Sequence, residues 1–104
     1  MSGAVLGQML AAAAKAAGGV WNNVQGDVTT FSQNLIRDSA QLAADFAAKK
    51  IDADELKTDL QILGDYSGIL ENYATDAIKA AAQAAFNAAV DALWSAVTTA
   101  AKGL

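Results

Sequence analysis

The charges of this chain are gathered in its middle, and both of its ends are written largely in alanine. Between Ser2 and Gly26 only Lys15 is charged, and between Ala80 and Leu104 only Asp91 and Lys102, while most of the rest lie from Arg37 to Lys79. Roughly a quarter of the 104 residues are alanine, the strongest helix former. There is no proline to kink or end a helix. This pattern selects an all-α fold in a single domain over residues 1–104.

The balance of residue types also bounds the function. Hydrophobic residues make up 54% and charged ones 17%, against roughly 25% charged in ordinary soluble domains. A small domain has the most surface to cover with polar groups, so some apolar surface is expected to be buried against another molecule. Cysteine and histidine are absent, which removes disulfides, thiol and histidine chemistry, and Cys/His zinc sites. A net charge of −4 and a pI near 4.4 argue against nucleic acid as a partner, because phosphate binding needs a basic face. No catalytic residue, cofactor, metal or small-molecule substrate is expected. Met1 to Leu6 has no positively charged lead-in to an apolar run, so no cleavable signal peptide is expected. Gly18-Gly19 could be read as the end of a double-glycine export leader. The expectation is a cytoplasmic location or export without a secretory leader, with the compartment itself left open.

The clearest local signal is at the midpoint. Asp52 is placed as an N-cap, Glu55 three residues on completes a capping box, and Ile51 and Leu56 flank them as a hydrophobic staple. Lys49 and Lys50 suit the negative end of a preceding helix. One helix therefore ends and another begins within about three residues, a connection that makes antiparallel neighbours. Upstream, Val24, Val28, Phe31, Leu35, Ser39, Leu42 and Phe46 fall at three- and four-residue steps on one helix face. Downstream, Leu56, Leu60, Leu63, Ser67, Leu70, Ala74, Ala77 and Ala81 do the same. That stripe runs through Gly64 and Gly68 without losing phase, which predicts one long helix there. Residues 4–17 are helical on alanine propensity, with a bend near Gly18. The expected architecture is an antiparallel helical hairpin with limbs 4–50 and 53–102 and a turn at 50–53. Where the weak points break, it becomes a small three- to four-helix bundle with a long C-terminal helix. Both chain ends are then expected at the tip opposite the charged turn.

Within the C-terminal helix, Ala82, Phe86, Val90, Leu93 and Val97 form a bulky seam, and Ala81, Ala85, Ala88, Ala92 and Ala96 a smooth one beside it. Gln83, Asn87, Asp91, Ser95, Thr98 and Lys102 leave a polar strip barely one residue wide. A helix so apolar is covered on more than one side, and its small residues admit a second helix at close range. Ala81, Ala85, Ala88, Ala92, Phe86, Val90, Leu93, Trp94, Val97 and Trp21 are accordingly the candidate interaction residues. Lys15 and Asp91, the lone charges deep in the alanine-rich ends, are ion-pair candidates across the hairpin. The carboxylates Asp52, Asp54, Glu55 and Asp59 lack the glycine and spacing of a calcium loop and read as capping groups.

In length and hairpin layout the chain resembles the small secreted helical hairpins of type VII secretion. Their turn carries Trp-x-Gly where this one reads Lys50-Ile51-Asp52, so no family is assigned. The function expected is that of a non-enzymatic structural or interaction protein forming a homo-oligomer or filament through its charge-poor ends. The alternative is a membrane-active protein, because Val5 to Val24 and Ala80 to Ala101 approach the roughly 20 residues that span a bilayer. Gln83, Asn87 and Asp91 would be costly in lipid unless they faced a water-filled centre.

Overall fold

The computed structural model describes residues 2–102, apart from the side chain of Ser2. Among them 86% are helical and none is in a strand. The helices are α1 (Ser2–Ala17), α2 (Trp21–Asp38), α3 (Ala40–Ala47), α4 (Ala53–Leu63), α5 (Ser67–Leu70) and α6 (Asp76–Lys102), with a 3₁₀ turn at Gly18–Val20. At 1.5 Å per residue α6 is about 40 Å long. It runs the long dimension of a molecule measuring 43 × 22 × 18 Å.

The expected weak points do break, and the bundle is the form realised. Gly18 adopts φ +60°, a conformation glycine reaches without steric cost. The chain reverses there and α1 returns along α2, with Gly3 and Leu6 beside Gln33 and Ile36. Val5, Met9, Ala13 and Ala17, four residues apart, are its buried stripe. The upstream stripe holds as read: Val24, Val28, Phe31, Leu35 and Ser39 are buried, and Leu42 and Phe46 pack against the core. A one-residue break at Ser39 separates α2 from α3.

The capping box at the midpoint is present. The Glu55 backbone N–H donates to Asp52 Oδ1 at 2.8 Å and the Asp52 N–H donates back to Glu55 Oε1 at 3.4 Å. Leu56 is fully buried and Ile51 packs on the core. Just upstream, α3 ends in a Schellman motif, in which Lys50 N–H bonds Asp45 C=O and Lys49 N–H bonds Phe46 C=O.

The long helix expected through Gly64 is not formed. α4 stops at Leu63, and beyond Leu60 the stripe leaves the core, with Leu63 43% exposed and Ser67, Ala74 and Ala77 at the surface. The cause lies at Gly64, where a Cβ would sit 3.1 Å from Phe31 Cζ and 3.3 Å from Leu35 Cδ2. α2 comes so close that the chain is turned there. Asp65 then accepts from the Ser67 N–H at 3.0 Å, a side-chain turn that competes with helix. Thr75 caps α6 through its hydroxyl, which accepts from the Ile78 N–H at 3.2 Å.

This break also moves the C-terminal end. α6 comes back antiparallel to α4, as the contacts of Trp94 with Ala53, Asp91 with Lys57, and Asn87 with Tyr66 record. Lys102 therefore lies beside Lys49, Lys50 and Asp52 at the charged turn, and not at the opposite tip as the uninterrupted hairpin required.

Candidate interaction surfaces

The bulky seam of α6 is the centre of the molecule's own core. Phe86, Leu93, Ala82 and Ala85 are completely buried, and Val90 and Val97 nearly so. Three aromatic rings meet there. Phe31 stands edge-on to Phe86 at 4.9 Å, and Tyr66 stacks on Phe86 at 5.0 Å. Of the other candidate interaction residues, Ala81, Ala88 and Ala92 are half-buried. Trp21 and Trp94 are half-buried too and pack on the core. The second cover expected for α6 is intramolecular: α1 packs most extensively against it, and α2, α3, α4 and α5 all touch it. Pattern alone could show that α6 is enclosed, but not that the reversals at Gly18 and Gly64 supply the enclosing helices.

The polar strip of α6 faces outward and carries the few specific polar contacts. Trp94 Nε1 donates to the Ala53 carbonyl at 2.9 Å, and Lys57 Nζ lies 5.1 Å above the indole ring. Asp91 is 3.8 Å from Lys57, so the ion pair expected between Lys15 and Asp91 is not made. That pairing assumed two unbroken limbs in register, and both limbs are folded. The Tyr66 hydroxyl donates to Asn87 Oδ1. Lys57, Tyr66, Asn87 and Asp91 line a groove of about 610 Å³ between α4, α5 and α6. Its side chains pair with one another, and Tyr66, Asn87, Asp91 and Lys57 are all exposed or half-exposed. Among the described residues no three acidic side chains are grouped to hold a metal ion.

Three other surfaces remain. The outer face of α1 exposes Gly3, Ala4, Gly7, Gln8 and Ala11. A Cβ built on Gly3 or Gly7 would meet nothing within 4 Å. At the charged turn, an open groove of about 620 Å³ is floored by Phe46, Ile51, Trp94 and Ala101 and edged by Lys49, Lys50 and Lys102. Asp52 and Glu55 also line it, each held in the capping box. At the far end of α4, Ile62 is 71% exposed and Leu63 43%, the exposed large hydrophobic side chains among the described residues. Leu63 borders a smaller groove lined by Asp27, Asp38 and Asp65. Ile62 lies off the apolar stripe, and nothing in the sequence sets it apart from an ordinary surface residue.

Among the described residues no helix is long and apolar enough to cross a membrane. The stretch Val5 to Val24, near spanning length in sequence, is divided by the turn at Gly18–Val20. Compared with protein-family models, curated proteins and solved structures, the chain matches none.

Proposed function

We propose that the protein is a non-enzymatic interaction protein that assembles with copies of itself, with the outer face of α1 as a contact. The observation that carries this reading is the pair Gly3 and Gly7 on an exposed helix face with open space over both. A glycine inside a helix costs about 1 kcal/mol relative to alanine. At Gly64 the missing Cβ is matched by a neighbour at close range; at Gly3 and Gly7 no atom from elsewhere in the described residues lies within 4 Å of where a Cβ would stand. With Ala11 they form a smooth ridge at four-residue spacing, and a partner helix packed on it would approach closely. The ridge carries no charge before Lys15.

Light scattering at micromolar concentration is expected to report a mass above that of a single 10.6 kDa chain. Ala11→Glu places a charge on the ridge at an exposed position, where the fold tolerates it. It is expected to lower the assembled mass at a given concentration while far-UV circular dichroism stays unchanged. A wild-type protein that stays monomeric throughout that range overturns the reading.

A further inference from the structure

The two ends of α4 carry surfaces of opposite character. Its C-terminal end bears Ile62 and Leu63, exposed side by side. Surface hydrophobics scattered singly are ordinary; here two adjoin, and Leu63 borders a groove. That groove is edged by Asp27, Asp38 and Asp65. Asp27 accepts from the Tyr73 hydroxyl, Asp65 accepts from the Ser67 N–H, and Asp38 is paired with Arg37 at 3.1 Å, so three carboxylates stand against one neighbouring cation at this edge. The N-terminal end of α4 borders the groove floored by Phe46, Ile51 and Trp94. There Lys49, Lys50 and Lys102 gather three of the seven basic residues of the chain. Asp52 and Glu55 share that rim, each bonded to a backbone N–H in the capping box, and the three lysines outnumber them.

Lys49 is the feature hardest to explain within one molecule. Its φ of 63° is the left-handed conformation that a Schellman turn gives to glycine, and a side chain there is strained. A lysine held at such a cost keeps a cation on the rim of the groove.

We propose that the Ile62–Leu63 knob and its aspartate rim dock, head to tail, into the lysine-edged apolar groove of a second copy of this chain. The apolar pair meets an apolar floor, and the aspartates meet the lysines. The 11 residues of α4 hold knob and groove about 15 Å apart along the helix axis, so a knob does not fill the groove of its own chain. The contact is heterologous, each copy offering one knob and one groove. Repeated, it closes into a ring or grows as a filament. The inference rests on the proposed self-assembly but uses a surface separate from α1, so the two are tested apart.

The test is made in the Ala11→Glu background, where the α1 ridge is blocked. Ile62→Glu breaks the knob, since a carboxylate would have to enter the apolar floor. Lys50→Glu/Lys102→Glu breaks the groove rim. The expected result is that Ala11→Glu protein still gains mass with concentration and each broken variant is monomeric. An equimolar mixture of the two broken variants should then form a pair that stops at two chains, because only one intact knob and one intact groove meet. With Trp21→Phe added, Trp94 on the groove floor reports the pairing as a change in fluorescence in the mixture. Monomeric Ala11→Glu protein overturns the inference even where the wild type assembles. So does growth that survives both sets of changes, or a mixture of folded variants that fails to pair.

Discussion

Lys49 and Asp52 sit three residues apart and show how differently two backbone devices announce themselves. Asp52 is legible from sequence because a capping box is a local pattern of acceptor and donor at fixed spacing. The left-handed turn at Lys49 is not, because its usual marker is glycine and here a lysine stands in its place. Lys49 and Lys50 do stand at a helix end, as their charge suggests, but charge carries no information about the left-handed conformation there. Replacing Lys49 by Gly relieves the strained φ while keeping the hydrogen bonds of the turn. Its expected effect is a stabilisation of about 0.5–1 kcal/mol in urea unfolding. If the cation also serves head-to-tail docking, the same variant assembles less well although it folds more stably. A loss of stability instead would mean that the Lys49 side chain makes a contact worth more than the backbone strain.

At the scale of elements, the stripe from Val24 to Phe46 is legible because it keeps its phase across the one-residue break at Ser39 and buries or packs what its period assigns. By contrast, α1 is legible as a helix only through its alanine content, and its buried stripe of Val5, Met9, Ala13 and Ala17 is not marked out among so many small apolar residues. The stripe through Gly64 was misleading. Continuity of phase is evidence for one helix only where nothing stops the backbone, and at Gly64 the stop comes from α2, about thirty positions away in sequence. Phe31 and Leu35 lie against the glycine, and no local rule encodes that approach. Gly64→Ala would put a Cβ 3.0 Å from the Leu60 carbonyl oxygen and 3.1 Å from Phe31. Overpacking of this kind costs about 1–3 kcal/mol. Gly68→Ala is the matched control, since a Cβ there meets nothing within 4 Å. It is expected to be neutral or slightly stabilising through helix propensity. Thermal unfolding of the two variants side by side checks the contrast, and equal melting temperatures would show that the α2 contact yields freely.

For the molecule as a whole, the excess of apolar residues is absorbed by folding the chain back on itself at Gly18 and again between Gly64 and Thr75. That is why the expected interaction seam, Phe86 to Val97, ends in the core, and the apolar surface left exposed includes the ridge of α1 and the C-terminal end of α4. The second reversal is tied down by Tyr73, whose hydroxyl donates to Asp27 of α2 at 2.6 Å. Burial pushes the Tyr73 phenol well above its ordinary value, and the hydrogen bond to Asp27 and its negative charge add to the rise. In the unfolded chain a tyrosine ionises near 10. Because the folded value is the higher one, the associated stability is fully present below about pH 10 and is lost as pH climbs from there toward the folded value. The urea midpoint of the wild type is therefore expected to fall more steeply above about pH 10 than that of Tyr73→Phe. Every other ionisable group is common to both proteins and cancels in the comparison. Parallel curves from pH 7 to 11 would mean that the contact with Asp27 does not hold the second reversal against α2.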